Sequence, residues 1–96
     1  MKSTYIVTYD ICDDQRLRQV YRALRGFGEH LQYSVFRCDL SPSGLAELKT
    51  TVDPLIDHRV DQVLIVDVGP TAGRASDSFT TLGRPYTLPE RRANII

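Results

Sequence analysis

The distribution of apolar side chains divides the chain into alternating strands and helices. A nearly unbroken run of β-branched and aromatic residues at 4–11 predicts a strand that is buried on both faces and therefore central in its sheet. The apolar residues that follow recur at i, i+3, i+4 and i+7, which predicts one face of a helix. These residues are Leu17, Val20, Tyr21 and Leu24.

Polar and glycine residues mark the two ends of this first helix, and arginines form a second face along it. Asp13 or Asp14 can cap its start, and the glycines at 26 and 28 mark its end. Three arginines with helical spacing form what we call the basic ridge: Arg18, Arg22 and Arg25. Such a ridge is usually a solvated face that pairs with acidic neighbours, and the alternative is a surface that binds nucleic-acid phosphates.

Alternating or continuous apolar patterns predict the remaining elements. We expect a second strand at 31–40 and a third at 61–68, with further short strands at 78–82 and 92–96. A second helix begins after Ser41 and Pro42, and Pro54 either kinks it or follows a restart capped by Asp53. Its apolar stripe consists of Leu45, Leu48, Val52, Leu55 and Ile56.

This order of elements indicates one domain over residues 1–96 with an α+β, ferredoxin-like fold. The expected plan is βαββαβ with an extra C-terminal strand, an antiparallel sheet and two helices on one face. The same plan also carries RNA-recognition modules, metal chaperones and regulatory ligand-binding domains, so the fold alone does not decide function.

Composition narrows the choice of function class. Twelve basic and twelve acidic residues give zero net charge, but residues 13–37 hold five basic residues against three acidic ones, and residues 38–67 are acidic. Neutral net charge weakens the case for nucleic-acid binding without excluding it.

The chain has no membrane-length apolar stretch and no signal-peptide core, so we expect a cytoplasmic protein with no membrane partner. Cys12 and Cys38 lack metal-site spacing and are expected to be reduced thiols, and His30 and His58 are isolated.

The main candidate for chemistry is Asp10, at the carboxyl end of the first strand and beside the turn into the first helix. Mg²⁺ is usually anchored by one or two carboxylates plus water and phosphate, so Asp10 needs a partner. Asp39 and Asp67 also lie near strand ends, and a two-fold axis would supply a second copy of Asp10. The alternative is that Asp10 caps the helix through a turn with Asp14.

Aromatic residues near the second strand offer a different contact with nucleic acid. Tyr33 and Phe36 could stack on bases, although the glycine- and phenylalanine-rich signature of RNA-recognition sheets is absent. Serine, cysteine or histidine triads, a P-loop and a dinucleotide-binding glycine pattern are absent as well, so any catalysis is expected to be metal-assisted.

Several segments resemble one family. These segments are the strand ending in Asp10, the helix with Arg16 and Arg18, the pair Phe27-Gly28 and above all residues 32–38, Gln-Tyr-Ser-Val-Phe-Arg-Cys. They are similar to the small CRISPR-associated adaptation protein, the second of the two universal Cas proteins. The similarity continues through residues 61–66 and 82–83 to the short apolar tail.

The resemblance implies a ferredoxin-like homodimer in which the tail, about residues 84–96, packs on the partner. Asp10 would be the catalytic residue and the metal ligand, with one Mg²⁺ or Mn²⁺ shared across the dimer. It also implies cleavage of RNA or double-stranded DNA, and a bridging role beside the larger CRISPR adaptation integrase during spacer acquisition. The residues assigned to nucleic-acid binding are Arg16, Arg18, Arg22, Arg25, Arg91 and Arg92, and Tyr9, Ser34 and Phe36 are assigned a supporting role.

Three hypotheses therefore stand: a metal-dependent nuclease, a non-catalytic nucleic-acid-binding scaffold, and a regulatory ligand-binding domain. The position of Asp10 at a strand end favours the first over the third.

Overall fold

The sheet has the strand order β2-β3-β1-β4, and every neighbouring pair is antiparallel. This order, with two helices on one face, confirms the α+β, ferredoxin-like prediction. The computed structural model describes residues 1–84. The strands are β1 (Ser3–Asp10), β2 (Glu29–Gln32), β3 (Val35–Leu40) and β4 (Gln62–Pro70), and the helices are α1 (Asp14–Arg25) and α2 (Pro42–Val52).

Both helices begin at side-chain caps that the sequence contains. The carboxylate of Asp13 accepts the backbone N–H of Arg16 at 3.0 Å, so Asp13 rather than Asp14 is the cap of α1. The hydroxyl of Ser41 caps α2 by accepting the N–H of Gly44 at 3.1 Å. A single 3₁₀ turn, Asp53–Leu55, continues from the end of α2, so Pro54 ends the α-helix without a restart capped by Asp53.

The core lies between the helices and one face of the sheet. Alternate residues of β1 and β3 point toward the helices and are buried, while α1 and α2 contribute their predicted apolar stripes. The buried residues are Val7, Tyr9, Val20, Leu24, Phe36, Cys38, Leu40, Leu48 and Val52. No helix within residues 1–84 is long and apolar enough to cross a membrane.

The opposite face of the sheet, which we call the open face, carries an apolar patch from β1 and β4. Ile6 is paired with Val66, and Thr8 with Leu64, in the β1–β4 register. Leu64 is 52% exposed and Val66 is 45% exposed within the described residues. Asp10 belongs to the same face, because side chains alternate along β1.

One end of the open face is closed by hydrogen bonds. Thr4 is fully buried there, and its hydroxyl donates to Asp39 at 2.7 Å and lies 2.9 Å from the hydroxyl of Thr71. Farther along the segment that follows β4, the ring of Phe79 lies 5.1 Å from the guanidinium of Arg37. Residues 71–79 therefore cover the end of the open face that is remote from Asp10.

The predicted single strand at 31–40 is wrong, because the structure divides it into the hairpin β2–β3. The chain reverses at Tyr33 and Ser34, and Tyr33 has a φ of 24°, in the left-handed region. Turns of this kind are normally signalled by Gly, Asn or Asp. The sequence carries none of these residues at the turn, so its pattern looked continuous.

The predictions for the C-terminal part have two outcomes. Residues 78–82 do not form the expected strand, and a 3₁₀ turn at Arg74–Asp77 precedes them. The terminal strand at 92–96, and nearly all of the segment from 84 onward that was assigned to a partner, lie outside the described residues.

Candidate functional site at the end of the first strand

Asp10 is the last residue of β1 and is exposed. It is paired in register with Gln62 on β4. Among residues 1–84, no hydrogen bond or ion pair engages its carboxylate, and the cap of α1 is Asp13. The alternative role for Asp10 as a helix cap is therefore not observed, and the carboxylate is available to a ligand.

The other acidic candidates do not lie beside Asp10. Asp39 is paired with Thr4 and Asp67 with Tyr5. At about 3.3 Å per residue along β1, these carboxylates are roughly 15–20 Å from Asp10. The described residues contain no group of three or more His, Cys, Asp or Glu side chains that could hold a metal ion.

A partly buried ion pair lies next to this strand end. Asp61 has a fully buried side chain and accepts two hydrogen bonds from Arg16, Nε to Oδ2 at 2.7 Å and Nη2 to Oδ1 at 3.2 Å. It also accepts the backbone N–H groups of Cys12 and Asp57, at 2.9 and 2.8 Å. The Arg16 guanidinium and these two N–H groups hold the pKa of Asp61 well below its ordinary value.

This network joins the β1–α1 connection to Asp61, the residue before β4, just beyond the Asp10–Gln62 pair. No local sequence pattern indicates this ion pair, because Arg16 and Asp61 are 45 residues apart. The guanidinium of Arg16, expected to bind nucleic acid, is engaged by Asp61. Its role toward nucleic acid stays a prediction.

A groove of about 440 Å³ opens beside Asp10. It lies between the end of β1, the first turns of α1 and the β2–β3 turn. Its lining combines a carboxylate, a guanidinium and aromatic rings, which is the mixture that binds a polar ligand with a flat ring. The residues that carry this chemistry are Asp10, Arg18, Tyr21 and Tyr33.

Of the residues assigned a supporting role, Tyr9 and Ser34 line this groove, and Phe36 lies in the core. Tyr9 is 6% exposed, and its ring centroid is 6.2 Å from that of Phe36, which is fully buried. Burial raises the pKa of the Tyr9 phenol. The N–H of Tyr9 donates to the carbonyl of Ser34 at 3.2 Å. Phe36 therefore cannot stack on a base, and its ring is part of the core; the supporting role of these residues stays a prediction.

The basic ridge is confirmed as an exposed face of α1, with Arg18, Arg22 and Arg25 all accessible. Arg18 reaches the groove. Arg25 leans on Tyr21, with its guanidinium carbon 5.7 Å from the ring centroid and its Nη1 donating to the phenol at 3.2 Å. Arg91 and Arg92 lie outside the described residues.

The site fits a divalent ion only in part. Within residues 1–84, the end of β1 offers a single unengaged carboxylate, that of Asp10, whereas Mg²⁺ is usually bound through one or two carboxylates with water and substrate phosphate completing its shell. Two copies of Asp10 brought together would supply both carboxylates.

Comparison with known proteins agrees with this description. The family described as "CRISPR associated protein Cas2" matches residues 3–73. The chain is 38% identical over 92 residues to CRISPR-associated endoribonuclease Cas2 1 of Rhodospirillum rubrum, which covers 96% of this chain and 89% of the relative. It is 33% identical over 96 residues to CRISPR-associated endoribonuclease Cas2 of Geobacter sulfurreducens, with both chains covered completely.

A solved structure shows the same fold. The crystal structure of Streptococcus pyogenes Cas2 at pH 6.5 superposes with a TM-score of 0.70 at 28% identity, over 83% of this chain and 99% of the other. The family match spans Asp10, the Arg16–Asp61 pair and the hairpin turn, so it includes every described part of the site. This chain belongs to the CRISPR-associated protein Cas2 family.

Proposed function

We propose that this protein is a metal-dependent endonuclease that cleaves RNA as a homodimer, with Asp10 of each copy as metal ligand and catalytic carboxylate. The observation that carries the proposal is the exposed, unengaged carboxylate of Asp10 at the end of β1. The endoribonuclease names of the two relatives support the choice of substrate.

The open face supports the homodimer. Ile6, Leu64 and Val66 form an apolar surface that remains accessible within the described residues. Asp10 is at the end of this face, so two copies stacked through it about a two-fold axis would place both Asp10 side chains at the same interface. Within residues 1–84 β4 is also an edge strand, and an edge strand can pair with a strand of another chain.

The chain's own residues have separate roles in this proposal. Arg18 and Arg22 bind phosphates of the substrate, and Asp61 fixes the β1–α1 connection through Arg16. Both copies of Asp10 would hold the ion. A bound Mg²⁺ or Mn²⁺ would polarise the phosphodiester and activate water.

A second function has its own supporting observation. Among the described residues of each chain, Asp10 is the one unengaged carboxylate at the end of β1, and the chain carries no net charge, which suits a non-catalytic scaffold that holds double-stranded DNA with help from a basic partner. That scaffold would bridge subunits of the larger adaptation integrase in a spacer-integration complex.

Asp10→Asn tests the catalytic assignment. It keeps the shape of the side chain and removes the charge that anchors the ion. We expect cleavage of single-stranded RNA in Mg²⁺ or Mn²⁺ to disappear in the variant and in wild-type protein with EDTA. Dimerisation and RNA binding should remain, because removing two facing carboxylates relieves their repulsion.

Asp14→Asn is the matched control, since it removes the same charge from an exposed residue in the first turn of α1. It should cleave at the wild-type rate. Cleavage by purified Asp10→Asn at the wild-type rate would refute the assignment of Asp10 as the catalytic carboxylate. RNA or DNA binding without cleavage by the wild-type protein in either metal would favour the scaffold.

A further inference from the structure

Tyr33 combines two features that folding does not explain. Its backbone is in the left-handed region at φ 24°, where Gly, Asn and Asp are the favoured residues and a bulky side chain is strained. Its side chain is 94% exposed, so the ring adds almost nothing to the core. An aromatic residue placed at a conformational cost and left in solvent indicates a ligand contact rather than a packing role.

The turn is attached directly to the strand that carries Asp10. Thr8 is paired with Val35, and the N–H of Tyr9 donates to the carbonyl of Ser34 at 3.2 Å. Tyr33 is the next residue of the turn, so the turn lies against the end of β1 that carries Asp10. Both residues line the same groove.

The groove places side chains suited to a base and to a phosphate near Asp10. Tyr33 presents an exposed ring at its rim, Arg18 presents a guanidinium, and Asp10 is at the end of the strand between them. The volume of about 440 Å³ is within the range of sites that enclose one small ligand. Of the two aromatic residues singled out from the sequence, Phe36 is fully buried, so only Tyr33 can present its ring.

We propose that Tyr33 is a base-stacking and specificity-determining residue: one unpaired base of a single strand stacks on its ring while Arg18 holds a neighbouring phosphate, next to the linkage presented to Asp10. A base inside a duplex has both faces covered by its neighbours, so this contact selects single-stranded substrate. Every base has a flat π-face, so the contact is tolerant of sequence. The inference rests on the proposed function, because that function is the reason for placing the single-stranded nucleic acid so that it runs past Asp10.

Substitutions at Tyr33 separate stacking from folding. Tyr33→Asn removes the ring and suits the left-handed backbone, so its Tm should equal or exceed that of the wild-type protein. Tyr33→Phe keeps the ring and should behave as wild type. Leu82→Asn is the matched surface control, because Leu82 is 96% exposed and is not among the residues that line the groove.

The experiment measures binding of a single-stranded RNA that contains 2-aminopurine, in EDTA so that no cleavage occurs. Wild-type protein, Tyr33→Phe and Leu82→Asn should quench the fluorescence of the stacked base. Tyr33→Asn should lose the quenching and bind roughly 5- to 150-fold more weakly. The same sequence as a duplex should bind equally to all four proteins.

The outcomes distinguish this inference from the proposed function. Unchanged affinity and quenching in Tyr33→Asn would overturn the stacking role even if the wild-type protein cleaves RNA. Failure of the wild-type protein to bind or quench the single strand would overturn it too. Ring-dependent binding without cleavage after Mg²⁺ is added would uphold the stacking role and refute only the catalytic function.

Discussion

Replacing Gly28 by alanine should destabilise the protein severely for a steric reason alone. A Cβ added at Gly28 would lie 2.2 Å from the carbonyl oxygen of Arg37 and 2.6 Å from the Sγ of Cys38. Real Cβ atoms essentially never approach other atoms closer than 3.0 Å, and the nearest atom belongs to the backbone of β3, so no flexible side chain can move aside. We expect a loss of about 3 kcal/mol, at the upper end of the usual overpacking range.

For a domain of this size, such a loss lowers Tm by roughly 12–24 °C. The assay is thermal unfolding followed by circular dichroism at a fixed protein concentration, because association would make Tm depend on concentration. Gly26→Ala is the matched control. It lies two residues earlier in ordinary helical geometry, and its Cβ would approach only the carbonyl of Ala23, at 3.3 Å. It should lower Tm far less than Gly28→Ala, because its single tight contact needs a shift of only a few tenths of an ångström. Equal Tm values for the two variants would refute the steric argument.

Three other predictions follow from described contacts. The pKa of Asp61 is lower in the folded than in the unfolded protein, so its contribution to stability is present above its unfolded pKa of about 3.9 and is lost as the pH falls below that value. In urea unfolding, Asp61→Asn should therefore be less stable than the wild-type protein at pH 7. Between about pH 4 and 2 it should lose less of its free energy of unfolding than the wild-type protein does. Burial raises the pKa of Cys38 to about 11, whereas Cys12 is exposed, so a thiol reagent at pH 8 should label one cysteine in the folded protein and both in urea. Leu64→Glu puts a charge on the open face and should lower the mass measured by light scattering from dimer to monomer, while an unchanged dimer would exclude this face as the interface.

Sequence periodicity was sufficient for elements whose pattern is local. The stripe through Val20 and Leu24 and the continuous run of β1 identified α1 and the central strand, because each pattern is set by residues a few positions apart. The hairpin was missed, since Tyr33 occupies a backbone conformation that normally selects Gly or Asn. A turn that contains no Gly, Asn or Asp leaves no signal in the pattern of apolar and polar positions.

The candidate site was predictable only where it depends on one residue. Asp10 could be singled out from its place between a strand and a helix, and its exposure at the end of β1 agrees with that choice. Asp61 could not, because its function in the fold comes from Arg16 and from two backbone N–H groups that are distant in sequence or shared with a loop. Folding brings these groups together, and no spacing rule connects them.

The hydrogen bonds that bury Thr4 make the two ends of the open face unequal. Asp39 and Thr71 hold the segment after β4 against the end of the sheet near Ser3, whereas the end near Asp10 carries no such cover within residues 1–84. A second sheet stacked on this face cannot slide along β1 toward Ser3, because that position is already filled. A few short polar side chains thus limit how far along the strands a partner can sit, although they lie at the opposite end of β1 from Asp10.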